Sequence, residues 1–180
     1  PFAFAQTTPR VAIKEKKTDQ TQLMLGVPAY PYLHEDEYAL AVLATILGGG
    51  MSSRLFMEVR EKRGLAYSVH AWSEKYPDAG YFVVQAGVEH GKLPKTIQTI
   101  LAEFRKMKKD NVSSAELSKA KAYIKGTSTI ALETSDAVAE NAATSLINVG
   151  KIRPLEEILK GIENVTAADV RRVANDIFKT

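Results

Sequence analysis

The chain has 180 residues, the size of one domain with a substantial core. Apolar residues make up 45%, charged residues 25%, and the +3 formal charge is spread among interspersed acids and bases, which argues against nucleic acid as the main partner. Cysteine is absent, excluding disulfides, thiolate metal sites and a thiol nucleophile, and no apolar run approaches the ~20 residues that a bilayer span needs. The chain opens at Pro1 without a basic-plus-apolar leader, so the expectation is a piece of something longer, with any export signal outside it.

Residues 1–17 read as an N-terminal arm or linker and 18–180 as a single domain. Residues 22–27 are a strand candidate closed by Pro28, and 30–34, which contain Pro31, read as a loop. From 36 to 47 apolar residues fall nearly all round the wheel, predicting a buried helix ended by Gly48. Ser52 or Ser53 is expected to cap a short second helix through Lys62, with Leu55, Phe56 and Val59 on its inner face and Gly64 as its stop. Strand-like alternation over 66–72 places Tyr67, Val69 and Ala71 on one face and Ser68, His70 and Trp72 on the other. A turn at 77–80 leads into a second strand at 81–88, completing a hairpin.

The remainder reads as helices over 92–109, from the capping box Ser113–Glu116 to about 130, over 134–149 ended by Gly150, over 154–162, and over 166–178 with Asp169 in its first turn. Strands followed by helices in blocks predict an α+β fold, a mainly antiparallel β-sheet with helices packed on it.

No metal motif emerges. His34, His70 and His90 are far apart and none forms a helical His-x-x-x-His or His-x-x-Glu-His. His34-Glu-Asp-Glu37 is read as helix capping and solvation. Gly48–Gly50 before a helix could cradle an anion, but it lacks the Lys-Ser/Thr of a P-loop; a flexible connection needing positive φ is the preferred reading. The cations at 105–109 read as a solvated helix end, and Trp72 as half-buried core.

Arg60 and Tyr67 stand out: a permanently charged fork and a phenol hydroxyl can both grip a peptide carbonyl or a developing oxyanion. No nucleophile, metal cage or base accompanies them. Spacing alone leaves open a snorkelling arginine and a packed tyrosine.

The stretch Leu47-Gly-Gly-Gly-Met-Ser-Ser-Arg-Leu-Phe-Met-Glu-Val-Arg-Glu-Lys-Arg-Gly-Leu-Ala-Tyr67 resembles the C-terminal domain of the M16 (insulinase/pitrilysin) zinc peptidases, especially the mitochondrial processing peptidase type and its bacterial relatives. Thr21-Gln-Leu-Met-Leu-Gly26, Asp78-Ala-Gly-Tyr-Phe82, Glu116-Leu-Ser-Lys-Ala-Lys121 and Val165-Thr-Ala-Ala-Asp-Val-Arg-Arg-Val-Ala174 extend the likeness over roughly residues 18–178. The resemblance implies a clam-shaped chamber of four similar domains, in one chain or a pair of chains. One half carries the zinc motif, and the other contributes an arginine and a tyrosine that reach the scissile peptide. Only that pair carries over, onto Arg60 as the binder of substrate backbone and Tyr67 as the stabiliser of the oxyanion. Zinc is expected in the complementary half or a partner and not in this chain, which is not expected to be active by itself.

The implied partners are a peptide substrate and an upstream M16 domain or a paired subunit, in a dimer, with no nucleic acid and no membrane span. Export of bacterial relatives is the only guide to compartment. Two departures matter: the run Gly48–Gly50 is short beside the expanded glycine-rich loop of the regulatory processing-peptidase subunit, and the further strand usual after the last helix is missing. The alternatives are a non-catalytic scaffold subunit of the same fold and, more distantly, a phosphate-binding module at Gly48–Gly50.

Overall fold

The computed structural model describes residues 6–15 and 17–179. Of the expected arm, residues 1–5 and 16 lie outside the described residues; 6–15 are exposed and form neither helix nor strand.

Strands β1 (Thr21–Ala29), β2 (Ala66–Lys75) and β3 (Gly80–Val88) form an antiparallel sheet in the order β1-β3-β2. Period-two alternation sends Leu23, Leu25 and Val27 of β1 to one face, where they meet Ala86, Val84 and Phe82, their register partners on β3. On the opposite face lie Met24, Gly26 and Pro28 with Gln85, Val83 and Tyr81. Among the described residues helices lie on the first face only: α1 (Glu37–Gly48), α2 (Leu93–Lys109), α3 (Ser114–Ile130), α4 (Ser135–Val149), which buries none of its residues, α5 (Leu155–Asn164) and α6 (Ala167–Ile177). The fold is α+β.

α1 is the hub, as its all-round apolar pattern requires: Leu40, Val42, Leu43 and Leu47 are fully buried. Beneath the sheet Phe82 meets the edges of Phe104 and Phe178 at 5.8 and 5.3 Å, and the latter two stack at 4.0 Å, joining β3 to α2 and the end of α6. Trp72 is half-buried as expected, but it is not part of this core. It pairs with Val83 on the sheet face that carries no helix, because the alternation that buries Val69 and Ala71 turns it away.

Gly48 is needed for proximity rather than for left-handed backbone. A Cβ there would lie 2.2 Å from the Ala71 nitrogen, so α1 and β2 could not pack as closely with any other residue. Among the described residues positive φ occurs at Leu33, Gly64 and Gly150. The acids before α1 are also not simply solvated caps. Asp36 makes no side-chain capping bond and instead takes a bidentate grip from Arg172 of α6 at 2.6 and 2.7 Å. Glu37, 4% exposed, accepts from Arg153 at 2.5 Å and Lys75 at 3.5 Å. Burial alone would raise its carboxyl, but the two cations hold it below the usual range.

At the other helix ends, Thr166 and Asp169 form the full reciprocal box. Ser113 accepts from the Glu116 N–H, yet the Glu116 carboxylate turns to Arg54 at 2.7 and 2.8 Å, so only half of that box forms. Of the cations at the end of α2, Lys106 pairs with Glu103 and Lys108 donates to the Phe178 carbonyl, so the cluster is tied down rather than merely solvated.

Candidate functional site

The sequence between α1 and β2 builds a short helix that is widened by one residue. Phe56–Glu61 is π-helical, with the Lys62 N–H reaching the Met57 carbonyl at 2.9 Å. Leu55 and Val59, both fully buried, pin its inner side as expected. Glu58 accepts from Lys62 at 2.5 Å and from Arg63, and these cations hold its carboxyl down at about 2. Gly64, at φ +54, reverses the chain. Its N–H donates to the Arg60 carbonyl at 3.0 Å and the Leu65 N–H to that of Val59 at 2.8 Å.

Immediately beyond, β2 departs from strict alternation. Ala66 pairs with Val88 and Ser68 with Gly87, so Tyr67 is the extra residue of a β-bulge. Ala66, Val69 and Ala71 are buried, whereas Tyr67 is 76% exposed. The expectation that Tyr67 shares a face with Val69 and Ala71 is therefore wrong, because the bulge inserts one residue and turns that side chain outward.

The same turn brings Arg60 to Tyr67. The Arg60 Cζ lies 5.5 Å from the Tyr67 ring centroid and 4.9 Å from that of Phe56. Its acid neighbour is Glu61, at a loose 3.9 Å. Neither the guanidinium nor the phenol hydroxyl has a hydrogen-bond partner among the described residues, so both stay available to an incoming acceptor. Tyr67 is thus not a packed tyrosine. In the sequence Phe56 is legible only as an inner-face residue; its spacing of four from Arg60 is the signal that it could carry the cation.

The glycine run borders a cleft of about 380 Å³ walled by Gly49, Gly50, Ser53, Lys119 and Tyr123. Lys119 donates to the Ser52 carbonyl at 3.1 Å. Ser53 does not act as a helix cap: its hydroxyl is buried without a partner. Among the described residues no three His, Cys, Asp or Glu side chains are grouped to hold a metal ion. His34 stacks on Tyr30, and His90 bonds the Thr21 hydroxyl and the Thr18 carbonyl. No described helix is long and apolar enough to cross a membrane.

The fold is a helix-backed antiparallel sheet whose bulge presents Tyr67 beside Arg60, and among the described residues no group of three metal-ligating side chains accompanies the pair. The Peptidase M16 inactive domain family matches residues 1–124, and the chain belongs to the M16 peptidases. An uncharacterized zinc protease of Streptomyces coelicolor is 36% identical over 169 residues, which is 94% of this chain and 37% of that protein. Among solved structures, a protease from Helicobacter pylori superposes with TM-score 0.82 at 29% identity, covering 90% of this chain and 39% of that one. A chain of Complex III2 from Candida albicans shares the fold, with TM-score 0.81 at 21% identity over 91% of this chain and 41% of that one. The chain thus spans about 40% of the length of the relatives it matches.

Proposed function

We propose that this chain is the substrate-binding, site-completing part of a zinc endopeptidase whose metal is held by another segment of the same polypeptide or by a paired subunit. The observation that carries the reading is the bulge at Tyr67, which presents the phenol outward with the Arg60 guanidinium 5.5 Å from its ring. Among the described residues no three His, Cys, Asp or Glu side chains are grouped to hold a metal ion, and the roles proposed are those of the chain's own donors. Arg60 holds a backbone carbonyl of the extended peptide through its fork of N–H groups. Tyr67 donates a hydrogen bond from its hydroxyl to the scissile carbonyl oxygen as that oxygen becomes negative, an interaction that strengthens toward the transition state. Arg60 leaves the short helix pinned by Leu55 and Val59 and Tyr67 leaves the start of β2, so the backbone of each is anchored by regular structure.

The second reading is a non-catalytic scaffold subunit of the same fold, since a fold does not by itself carry an activity. Two exposed donor groups with no hydrogen-bond partner among the described residues favour the catalytic one, because a scaffold needs neither.

The test is Tyr67→Phe, assayed with the zinc-bearing half present. The oxyanion role expects kcat to fall by ~10²–10³ with KM and the melting curve little changed. Unchanged turnover rules out that role for Tyr67.

A further inference from the structure

We infer that Phe56 is a positioning residue whose ring holds the Arg60 guanidinium beside Tyr67; the inference rests on the reading of Arg60 as a binder of substrate backbone. The Arg60 side chain is 42% exposed, and an arginine in that setting samples many rotamers. Electrostatic restraint is weak here. Glu61 stands 3.9 Å away, beyond hydrogen-bonding distance, and the nearby Glu58 is occupied by Lys62 and Arg63. What confines the cation is aromatic: its Cζ is 4.9 Å from the Phe56 centroid and 5.5 Å from that of Tyr67.

The two rings differ in how firmly they are held. Tyr67 is exposed on a bulge, whereas Phe56 is half-buried against the core and adjoins the fully buried Leu55 on the chain. Phe56 therefore supplies the fixed reference and Tyr67 the movable one. Contact through an aromatic face consumes none of the donors of arginine, because all five N–H groups point outward in the guanidinium plane. Phe56 can thus restrict the rotamers of Arg60 while leaving its hydrogen-bonding edge open to a peptide carbonyl. Such ordering before binding lowers the entropy lost when substrate arrives and is expected in KM more than in kcat.

The experiment uses the protein with its zinc-bearing half, and the best-cleaved member of a pool of quenched-fluorescence decapeptides as substrate. Phe56→Leu keeps bulk but removes the ring face, and Phe56→Met is the substitute should the leucine variant fold poorly. The expected result is a rise in KM of about threefold to fivefold with kcat within about twofold of wild type. Phe56→Tyr restores KM, and Phe56→Leu adds nothing in an Arg60→Ala background. If the leucine variant costs as much in that background as alone, Phe56 is merely structural and the inference is overturned. Wild-type KM for Phe56→Leu, alongside a raised KM for Arg60→Ala, also overturns it while leaving Arg60 as the binder. Wild-type KM for Arg60→Ala refutes the reading of Arg60 itself, and this inference with it.

Discussion

A methyl group at position 48 would lie 2.2 Å from the Ala71 nitrogen and 2.5 Å from its Cβ, well inside any real contact. Two effects of Gly48→Ala therefore oppose each other. Alanine favours a helix by ~1 kcal/mol over glycine, while forcing α1 away from β2 costs roughly 1–3 kcal/mol and more where backbone must move. The clash is expected to win, lowering stability by about 2 kcal/mol, readable as a lower urea midpoint at unchanged m-value. Neither this contact nor the exposure of Tyr67 could be read from the residue alone. A glycine after a helix is usually a left-handed terminator, and a tyrosine two before a buried valine usually shares its face. Both expectations failed here because a second element, β2 or β3, supplied the deciding contact.

At the scale of elements, the turn from Phe56 to Ser68 was legible as a helix, a glycine stop and a strand. Its winding was not, since Leu55, Phe56 and Val59 suit the inner side of an α-turn or a π-turn equally. Glu58 clamps the end of this helix through Lys62 and Arg63, and that clamp has a pH signature. Its carboxyl is depressed from an ordinary 4.5 to about 2, so it contributes stability that is fully present above pH 4.5. The contribution drains away as pH falls toward 2. Urea unfolding of wild type and Glu58→Gln is expected to differ at pH 6 and to converge near pH 2. A pH-independent difference would show that the charge is not what matters.

For the whole molecule, helices lie on one sheet face only among the described residues, and Asp36 and Glu37 at the start of α1 are spent on Arg172 and Arg153 from distant parts of the chain. Carboxylates neutralised in this way hold the fold together and are poor metal ligands. The isolated chain is accordingly expected to show no stoichiometric zinc binding by calorimetry and no zinc-dependent peptide cleavage. Cleavage is expected to return when the complementary half is supplied. One equivalent of tightly bound zinc on the chain alone would contradict the proposed division of labour.

The sequence by itself determined the α+β class, the order of its elements, the buried character of α1 and the inner face of the short helix after it, the Thr166 cap and the family, all of which depend on local pattern or on a long ordered motif. Tertiary structure alone decided that Gly48 is a contact point, that Asp36 and Glu37 are ion-pair anchors, that Trp72 lies outside the core, and that Tyr67 turns outward beside Arg60. The physical reason is range. Periodicity and capping are settled within one turn or one strand, whereas a bulge, a close helix–strand approach and a cross-molecule ion pair depend on which distant residues the fold brings alongside.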